Sequence, residues 1–150
     1  YDISVCFIGD GTAVPHYLSY ASKLGIGNRV NFIGRIHSRR AVLERLAKGD
    51  LFVYPTKTEG LPRCIIEAMA VGLPCLSTPI AGIPELINGK YLFNPNDSDG
   101  FAREIIRLFN NPKELEEMSR INIEAAKHYT KDKLDERRKS FYTKLKRLVL

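Results

Sequence analysis

Two glutamates, Glu59 and Glu67, lie eight positions apart on either side of a predicted helix start. Pro62 suits the first turn of a helix, where its missing N–H costs nothing, and Gly60 permits close approach of the backbone to a ligand. The N–H groups of a first helical turn carry partial positive charge and suit a phosphate. Carboxylates repel an anion but accept paired hydrogen bonds from the vicinal hydroxyls of a ribose or hexose. The segment therefore predicts a site for a ligand with sugar, diphosphate and ribose in that order.

Either glutamate alone has a simpler explanation. A carboxylate near a helix start commonly interacts only with the helix dipole, and Glu67 also fits a solvated helix face. The combination of both carboxylates with Gly60 and Pro62, in one loop after an apolar strand, favours a ligand site.

Short apolar segments alternate with segments of helical period along the first 93 residues. Strands are predicted at 3–8, 29–33, 51–54, 74–78 and 91–93, and helices at 17–24, 41–48 and 65–71. This alternation predicts right-handed βαβ units in a doubly wound α/β fold, with a parallel sheet buried on both faces. Ligands of such sheets bind beyond the carboxyl ends of the strands, where we expect the loops at 9–12, 34–37 and 54–63.

After residue 97 the pattern is wholly helical, with helices predicted at 101–109, 115–129 and 133–148. The 150 residues, 44% of them hydrophobic, fit a single globular domain and exclude a disordered chain. No apolar run approaches the roughly 20 residues that span a bilayer, and we expect a cytoplasmic protein. The chain begins at Tyr1 rather than Met, so we expect a piece of a longer protein.

The net charge of +6 is concentrated in the last 20 residues, which carry eight basic and three acidic side chains. Such a tail is compatible with nucleic acid, with an anionic membrane surface, or with the solvated face of a terminal helix. Nucleic-acid binding is disfavoured because no recognisable motif is present and only Phe141 and Tyr142 interrupt the basic run.

Cysteine and histidine do not suggest a metal site. Cys6, Cys64 and Cys75 form no CxxC pair and stand in apolar surroundings, which predicts buried thiols in a reducing compartment. The three histidines show no ligand spacing. We therefore expect no structural zinc.

Two further motifs resemble known sites but have simpler explanations. Asp97-Ser98-Asp99 matches the DxD of metal-dependent sugar transferases, yet it stands just before a predicted helix, where it is typical of an N-cap. Gly9-Asp10-Gly11 follows a strand as in dinucleotide-binding folds, but Val14 replaces the third glycine of that fingerprint. A turn near phosphates is the better prediction for it.

The segment EGLPRCIIEAMAVGLPCLSTPIAGIPELI, which contains both glutamates, resembles the nucleotide-sugar site of retaining GT-B glycosyltransferases, family 4 of the group 1 type. VCFIGDGT and NRVNFIGRI resemble that family's second strand with its glycine turn and its base-binding strand. LFVYPTKTEGLPR resembles the donor loop, and YLFNPND the turn before the final helices. The resemblance covers essentially the whole chain and implies the C-terminal, nucleotide-sugar-binding domain of such an enzyme.

This resemblance implies a role for each matching residue. Glu59, the expected catalytic residue, would hold hydroxyls of the transferred sugar together with the backbone N–H groups of Gly60 and Leu61. Glu67 would hold the ribose diol. The resemblance also implies that Arg63 and the backbone N–H of Cys64 face the diphosphate, and that Arg35 and Ile36 lie against the base. It implies a hexosyltransferase that uses a UDP- or GDP-sugar and neither metal nor other cofactor.

Some parts of the family pattern are missing. The Arg and Lys that the family places on the diphosphate precede this chain, as does the N-terminal domain that binds a glycan or lipid-linked acceptor. The glycine usual between Gly89 and Leu92 is also absent. We therefore expect residues 1–150 to form a donor-binding domain that is inactive by itself. Two alternatives stay open: a nucleotide-sugar epimerase of the same architecture, and a non-catalytic nucleotide-sugar-binding module.

In this family the last helix crosses back to the N-terminal domain, and many members act at the cytoplasmic face of a membrane. The resemblance therefore implies that the basic tail contacts anionic lipid at the membrane surface, through Lys144, Lys146 and Arg147.

Overall fold

The computed structural model describes residues 2–149, which divide into two compact units at Glu44 and Arg45. The first unit contains β1 (Val5–Phe7), α1 (Val14–Lys23), a 3₁₀ helix (Gly27–Arg29) and β2 (Val30–Phe32). β1 and β2 pair in parallel with Cys6 opposite Asn31, and the rings of Phe7 and Phe32 stack with centroids 4.5 Å apart. The boundary between the units falls within α2 (Arg39–Leu46).

The first unit is largely exposed. All three residues of β1 are exposed, so the prediction of a sheet buried on both faces is wrong for this strand. The prediction that Cys6 is buried is wrong for the same reason. Within residues 2–149, β1 has a partner strand along one edge only, and its side chains are accessible to solvent.

The second unit holds the core. It contains β3 (Phe52–Tyr54), α3 (Arg63–Ala70), β4 (Cys75–Ser77), α4 (Ser98–Phe109), α5 (Pro112–Ala126) and α6 (Lys131–Val149), with 3₁₀ helices at Ile83–Glu85, Gly89–Tyr91 and Lys127–Tyr129. β3 pairs in parallel with β4, with Val53 opposite Leu76. The predicted α/β class with parallel strands and C-terminal helices is confirmed. Between residues 2 and 149 no helix is long and apolar enough to cross a membrane.

The predicted strand at 91–93 does not form. The Asn88 side chain accepts a hydrogen bond from the Lys90 N–H, and the chain turns through the 3₁₀ helix Gly89–Tyr91 instead of extending. What remains of the strand is a parallel bridge between Leu92 and Ser77, with the Phe93 N–H bonded to the Ser77 carbonyl at 2.9 Å.

α3 lies at the centre of this unit because its sequence is apolar on the side that packs against β3, β4 and α5. Ile65, Ala68 and Met69 on α3 are fully buried. α3 ends at Ala70 and is followed by Gly72, whose φ of +80° favours glycine; a Cβ there would lie 2.8 Å from Ser119 Oγ on α5. Close packing of α3 on α5 therefore depends on this glycine.

A cluster of polar side chains around Glu114 joins α4, α5 and the 3₁₀ helix Gly89–Tyr91. Arg107 donates to both Glu114 carboxylate oxygens, at 2.7 and 2.8 Å. The Tyr91 hydroxyl, the Asn111 amide and the Lys90 ammonium group also donate to this carboxylate, at 2.9, 2.9 and 3.2 Å. Arg107 above all, with Tyr91 and Lys90, holds the pKa of Glu114 well below its ordinary value of 4.5, against burial, which raises it.

We expect Glu114→Gln to lower the free energy of unfolding by about 1.5–3 kcal/mol, the usual contribution of hydrogen bonds to a charged group. Because the folded-state pKa of Glu114 lies below the unfolded value, the stabilisation is complete above about pH 5 and is lost as the pH falls. Urea unfolding followed by circular dichroism between pH 3 and 7 measures both effects.

Glu117→Gln is the matched control for this measurement. Glu117 also lies on α5 and pairs with Arg120, but both side chains are more than half exposed, and solvent screens such a pair, so its loss should change the free energy of unfolding little. Equal losses in the two variants would contradict a special role for the Glu114 cluster.

Candidate functional site

The predicted sugar- and phosphate-binding residues lie together where β3 gives way to α3. β3 ends at Tyr54 and α3 begins at Arg63. The loop between them, residues 55–62, carries Glu59, Gly60 and Leu61, and α3 carries Cys64 and Glu67. The structure thus keeps six of the eight predicted site residues within one loop and the helix that follows it.

Hydrogen bonds to the segment that follows β4 fix the backbone of this loop. Ser77 Oγ donates to the Tyr54 carbonyl at 2.7 Å, and Thr78 Oγ1 donates to the Thr56 carbonyl at 2.8 Å. Both hydroxyl-bearing residues are fully buried. Since a buried hydroxyl without a partner is unfavourable, these bonds specify the position of the loop backbone.

A third attachment lies next to the predicted sugar-binding residues. The Gly82 N–H donates to the Gly60 carbonyl at 2.9 Å. A Cβ at position 82 would lie 2.9 Å from Leu61 Cδ1 and 3.1 Å from the Gly60 carbonyl oxygen, so a larger residue would require the Leu61 side chain and the loop backbone to shift. The neighbouring Ala81 has a φ of +48°, the one non-glycine residue in the left-handed region among residues 2–149. Such strain is typical of segments that serve a site.

Glu59 is held by a tyrosine that the sequence did not single out. The Tyr54 hydroxyl donates a short hydrogen bond to Glu59 Oε1, and both side chains are half-buried. Burial, followed by the bond to Glu59, raises the pKa of Tyr54 above its ordinary value of 10. The phenol therefore remains protonated and remains a donor throughout the physiological range.

The start of α3 differs in one respect from the prediction. Pro62 is the N-cap residue, with φ −71° and ψ 116°, rather than a member of the first turn. Its extended ψ places it just outside the helix, and it provides no side-chain oxygen to bond the first N–H groups. The first turn is therefore not capped by its own preceding residue, as an anion-binding helix start requires.

Two residues on one face of α3 flank this helix start. Cys64 and Glu67, three positions apart, share a face of the helix, and both are half-buried. Burial raises the pKa of the Cys64 thiol, although its bond to Tyr54 and the backbone N–H groups of Ile65 and Cys64 act in the opposite direction. The thiol is therefore neutral, and the exposed Arg63, the first residue of α3, places a positive charge at the helix start.

The predicted base-binding residues belong to the first unit. Arg35 Nε lies 3.6 Å from an Asp10 carboxylate oxygen, in an exposed pair, and Ile36 is half-buried. The preceding Gly34 accepts a hydrogen bond from the Gly9 N–H at 2.9 Å. This contact joins the glycine turn after β1 to the segment after β2. The role of Arg35 and Ile36 stays a prediction.

The Asp97-Ser98-Asp99 motif is a helix cap. Asp97 Oδ1 accepts a hydrogen bond from the Gly100 N–H at 2.8 Å, and Asp97 is the N-cap of α4. The predicted capping role is confirmed for this residue. Within residues 2–149, no group of three or more His, Cys, Asp or Glu side chains is placed to hold a metal ion.

Sequence reasoning missed Tyr54 and Ser77. Both stand at the carboxyl end of a strand, the position that marks a ligand edge in parallel sheets. Their contacts could not be foreseen, because Ser77 lies 23 positions from its partner Tyr54 and the register of β3 against β4 brings them together.

Residues 1–111 match a family described as Glycosyl transferases group 1. N-acetyl-alpha-D-glucosaminyl L-malate synthase of Bacillus anthracis is 34% identical over 113 residues, which are 73% of this chain and 29% of that protein. The chain thus spans less than a third of the length of this curated relative.

Solved structures have the same fold. The catalytic domain of the cholesterol-alpha-glucosyltransferase from Helicobacter pylori matches with a TM-score of 0.77 and 26% identity, over 86% of this chain and 80% of that one. HepE of Anabaena, solved in complex with UDP-glucose, matches with a TM-score of 0.75 and 24% identity, over 82% of this chain and 35% of that one. Both support the α/β fold described above.

If Asp97 serves only as a cap, Asp97→Ala should lower the free energy of unfolding by about 1 kcal/mol, and Asp97→Asn, which can still accept the Gly100 N–H, by much less. Urea unfolding of the two variants measures the difference. An equal loss in both would show that the charge matters rather than the cap.

Proposed function

The chain belongs to the group 1 glycosyltransferases, and we propose that it is the donor-binding half of a retaining enzyme that transfers a hexose from a nucleotide-diphosphate sugar. The main support for this proposal is the fixed position of the loop 55–62. Hydrogen bonds to the carbonyls of Tyr54, Thr56 and Gly60 hold the loop, and it leads directly into the start of α3. HepE, which has the same fold, binds UDP-glucose.

In this proposal each part of the site binds one portion of the donor. Glu59 accepts hydrogen bonds from hydroxyls of the transferred sugar, with the Gly60 and Leu61 N–H groups beside it. The diphosphate lies at the start of α3, against the Cys64 N–H and Arg63. Glu67 accepts the ribose hydroxyls from the second turn of the helix. Paired carboxylates suit vicinal diols, and a helix N-terminus suits a diphosphate.

The chemistry follows from these positions. The bond between the anomeric carbon and the diphosphate breaks, the diphosphate keeps the electron pair, and an acceptor oxygen forms the new bond on the same face. The acceptor proton passes to the departing diphosphate. The helix start and Arg63 stabilise the charge that develops there, which is an electrostatic role that needs no metal. Retention fits the alpha-linked products that the names of two matched proteins specify.

The remaining parts of the proposal concern the longer protein. The match covers 29% of the curated relative, which is about two and a half times the length of this chain, so we propose that a further domain binds the glycan or lipid-linked acceptor. Residues 1–150 would then bind donor without turning it over.

We include in the proposal a peripheral contact between α6 and anionic lipid. Leu134, Phe141 and Leu145 recur at spacings of seven and four, which places them on one side of the helix. Phe141 and Tyr142 are 61% and 64% exposed. Lys144, Lys146 and Arg147 lie beside them. Exposed apolar groups next to cations are typical of helices that bind a membrane surface.

Thermal unfolding of the chain with UDP-, GDP- and ADP-sugars tests donor binding. A ligand at 100 times its Kd stabilises by about 2.7 kcal/mol, or about 5–10 °C in Tm for a chain of this size. We expect one nucleotide class to give this shift, unchanged by EDTA. We expect Glu67→Ala to lose most of it, because the ribose loses its acceptor.

Glu116→Ala is the control for this screen, since Glu116 is an exposed carboxylate on α5. It should keep the full shift. No shift with any nucleotide sugar would contradict donor binding, and an unchanged shift in Glu67→Ala would contradict the ribose assignment.

Sedimentation with vesicles tests the lipid contact. Each Lys or Arg near an anionic surface contributes about 1 kcal/mol. Replacing Lys144, Lys146 and Arg147 by Gln should therefore weaken binding to phosphatidylglycerol vesicles by at least about tenfold. Replacing Arg103, Lys113 and Lys127 by Gln removes the same charge from α4, the first turn of α5 and the 3₁₀ helix Lys127–Tyr129, and should change binding less. Equal binding to neutral phosphatidylcholine vesicles would contradict the proposal.

A further inference from the structure

We infer that Tyr54 is a positioning residue for the donor sugar, which acts by fixing one oxygen of the Glu59 carboxylate. This inference rests on the proposed function, since it assumes that Glu59 meets the sugar. Tyr54 lies outside the two-glutamate motif. Its expected effect is on the affinity for the nucleotide sugar and not on the affinity for the nucleotide without sugar.

The backbone of Tyr54 is anchored at the end of β3. Its carbonyl accepts hydrogen bonds from the Ser77 hydroxyl at 2.7 Å and from the Thr56 N–H at 2.9 Å. Its ring lies nearly parallel to that of Phe52, with centroids 6.0 Å apart. Because the main chain is bonded on the β4 side and the ring packs on its own strand, the direction of the phenol is set by the sheet.

The fixed phenol in turn restricts the Glu59 side chain in the loop. Glu59 is in the middle of loop 55–62, where a carboxylate would otherwise sample several rotamers. The Tyr54 hydroxyl donates to Glu59 Oε1, and the thiol of Cys64, at the start of α3, lies beside the same hydroxyl. Tyr54 therefore touches both ends of the predicted sugar-diphosphate site, the carboxylate and the helix start.

A carboxylate with one oxygen fixed is better suited to a diol than a mobile one. Oε1 is engaged by a donor that stays protonated, and Oε2 keeps its lone pairs for the hydroxyls of a hexose. Fixing the acceptor before the ligand arrives removes the entropy that would be lost on binding. The benefit is confined to the sugar, because the nucleotide and diphosphate are assigned to other residues.

Tyr54→Phe tests this inference, since it retains the ring packed on Phe52 and removes only the hydroxyl. Calorimetric titration should use two matched pairs of ligands: UDP-glucose with UDP, and GDP-mannose with GDP. We expect about a tenfold loss of affinity for the nucleotide sugar that the parent binds, and less than a twofold change for the corresponding nucleotide. A role limited to folding would lower both affinities together.

Tyr91→Phe is the matched control. Tyr91 also donates its hydroxyl to a half-buried carboxylate, Glu114, at 2.9 Å, but it belongs to the cluster that joins α4 and α5. This variant should lose stability and leave the ratio of the two affinities unchanged. If both variants alter the ratio equally, the effect comes from general loosening and the inference fails.

A double-mutant cycle with Glu59→Ala separates direct from indirect action. If Tyr54 acts through Glu59, adding Tyr54→Phe to Glu59→Ala should cost less than a further twofold in nucleotide-sugar affinity. A second tenfold loss would mean that Tyr54 meets the sugar by itself and would overturn the positioning role. Failure of the parent to bind any of the UDP-, GDP- and ADP-sugars would overturn the proposed function and this inference together, whereas parallel losses for nucleotide sugar and nucleotide in Tyr54→Phe would overturn only the inference.

Discussion

The attachment of the loop after β3 to the segment after β4 is the constraint on which the candidate site depends. Two buried hydroxyls, on Ser77 and Thr78, and one backbone N–H, on Gly82, bind three carbonyl oxygens of the chain between Tyr54 and Gly60. The Ser77 and Thr78 side chains are fully buried, so leaving their hydroxyls without a partner is unfavourable. These bonds hold the loop in one conformation where it joins α3.

Hydrogen bonds also fix the C-terminal helices, but there they stabilise the fold rather than position a loop. The Glu114 cluster joins α4, α5 and the 3₁₀ helix Gly89–Tyr91 by charge-assisted bonds, and Asp97 caps α4. α3 packs on α5 through Gly72. The polar residues in this region therefore stabilise the fold, whereas we propose ligand binding for those in the loop 55–62.

Much of this organisation could be predicted from sequence, because apolar runs and their spacing depend on neighbouring residues. Four of the five predicted strands and all six predicted helices form, and the loop with Glu59 and Gly60 lies where the pattern placed it. The errors have local and distant causes. The turn at Gly89–Tyr91 replaces a strand through a local hydrogen bond from the Lys90 N–H to Asn88, whereas Cys6 is exposed because β1 pairs with a single strand among residues 2–149. Tyr54 was missed because its partner Ser77 is 23 positions away.

A crystal structure of the chain with its preferred nucleotide sugar would test the central claim most directly. We expect the diphosphate at the first turn of α3, the sugar hydroxyls on Glu59 and the ribose hydroxyls on Glu67. A donor bound elsewhere, or one whose hydroxyls face neither carboxylate, would contradict the account.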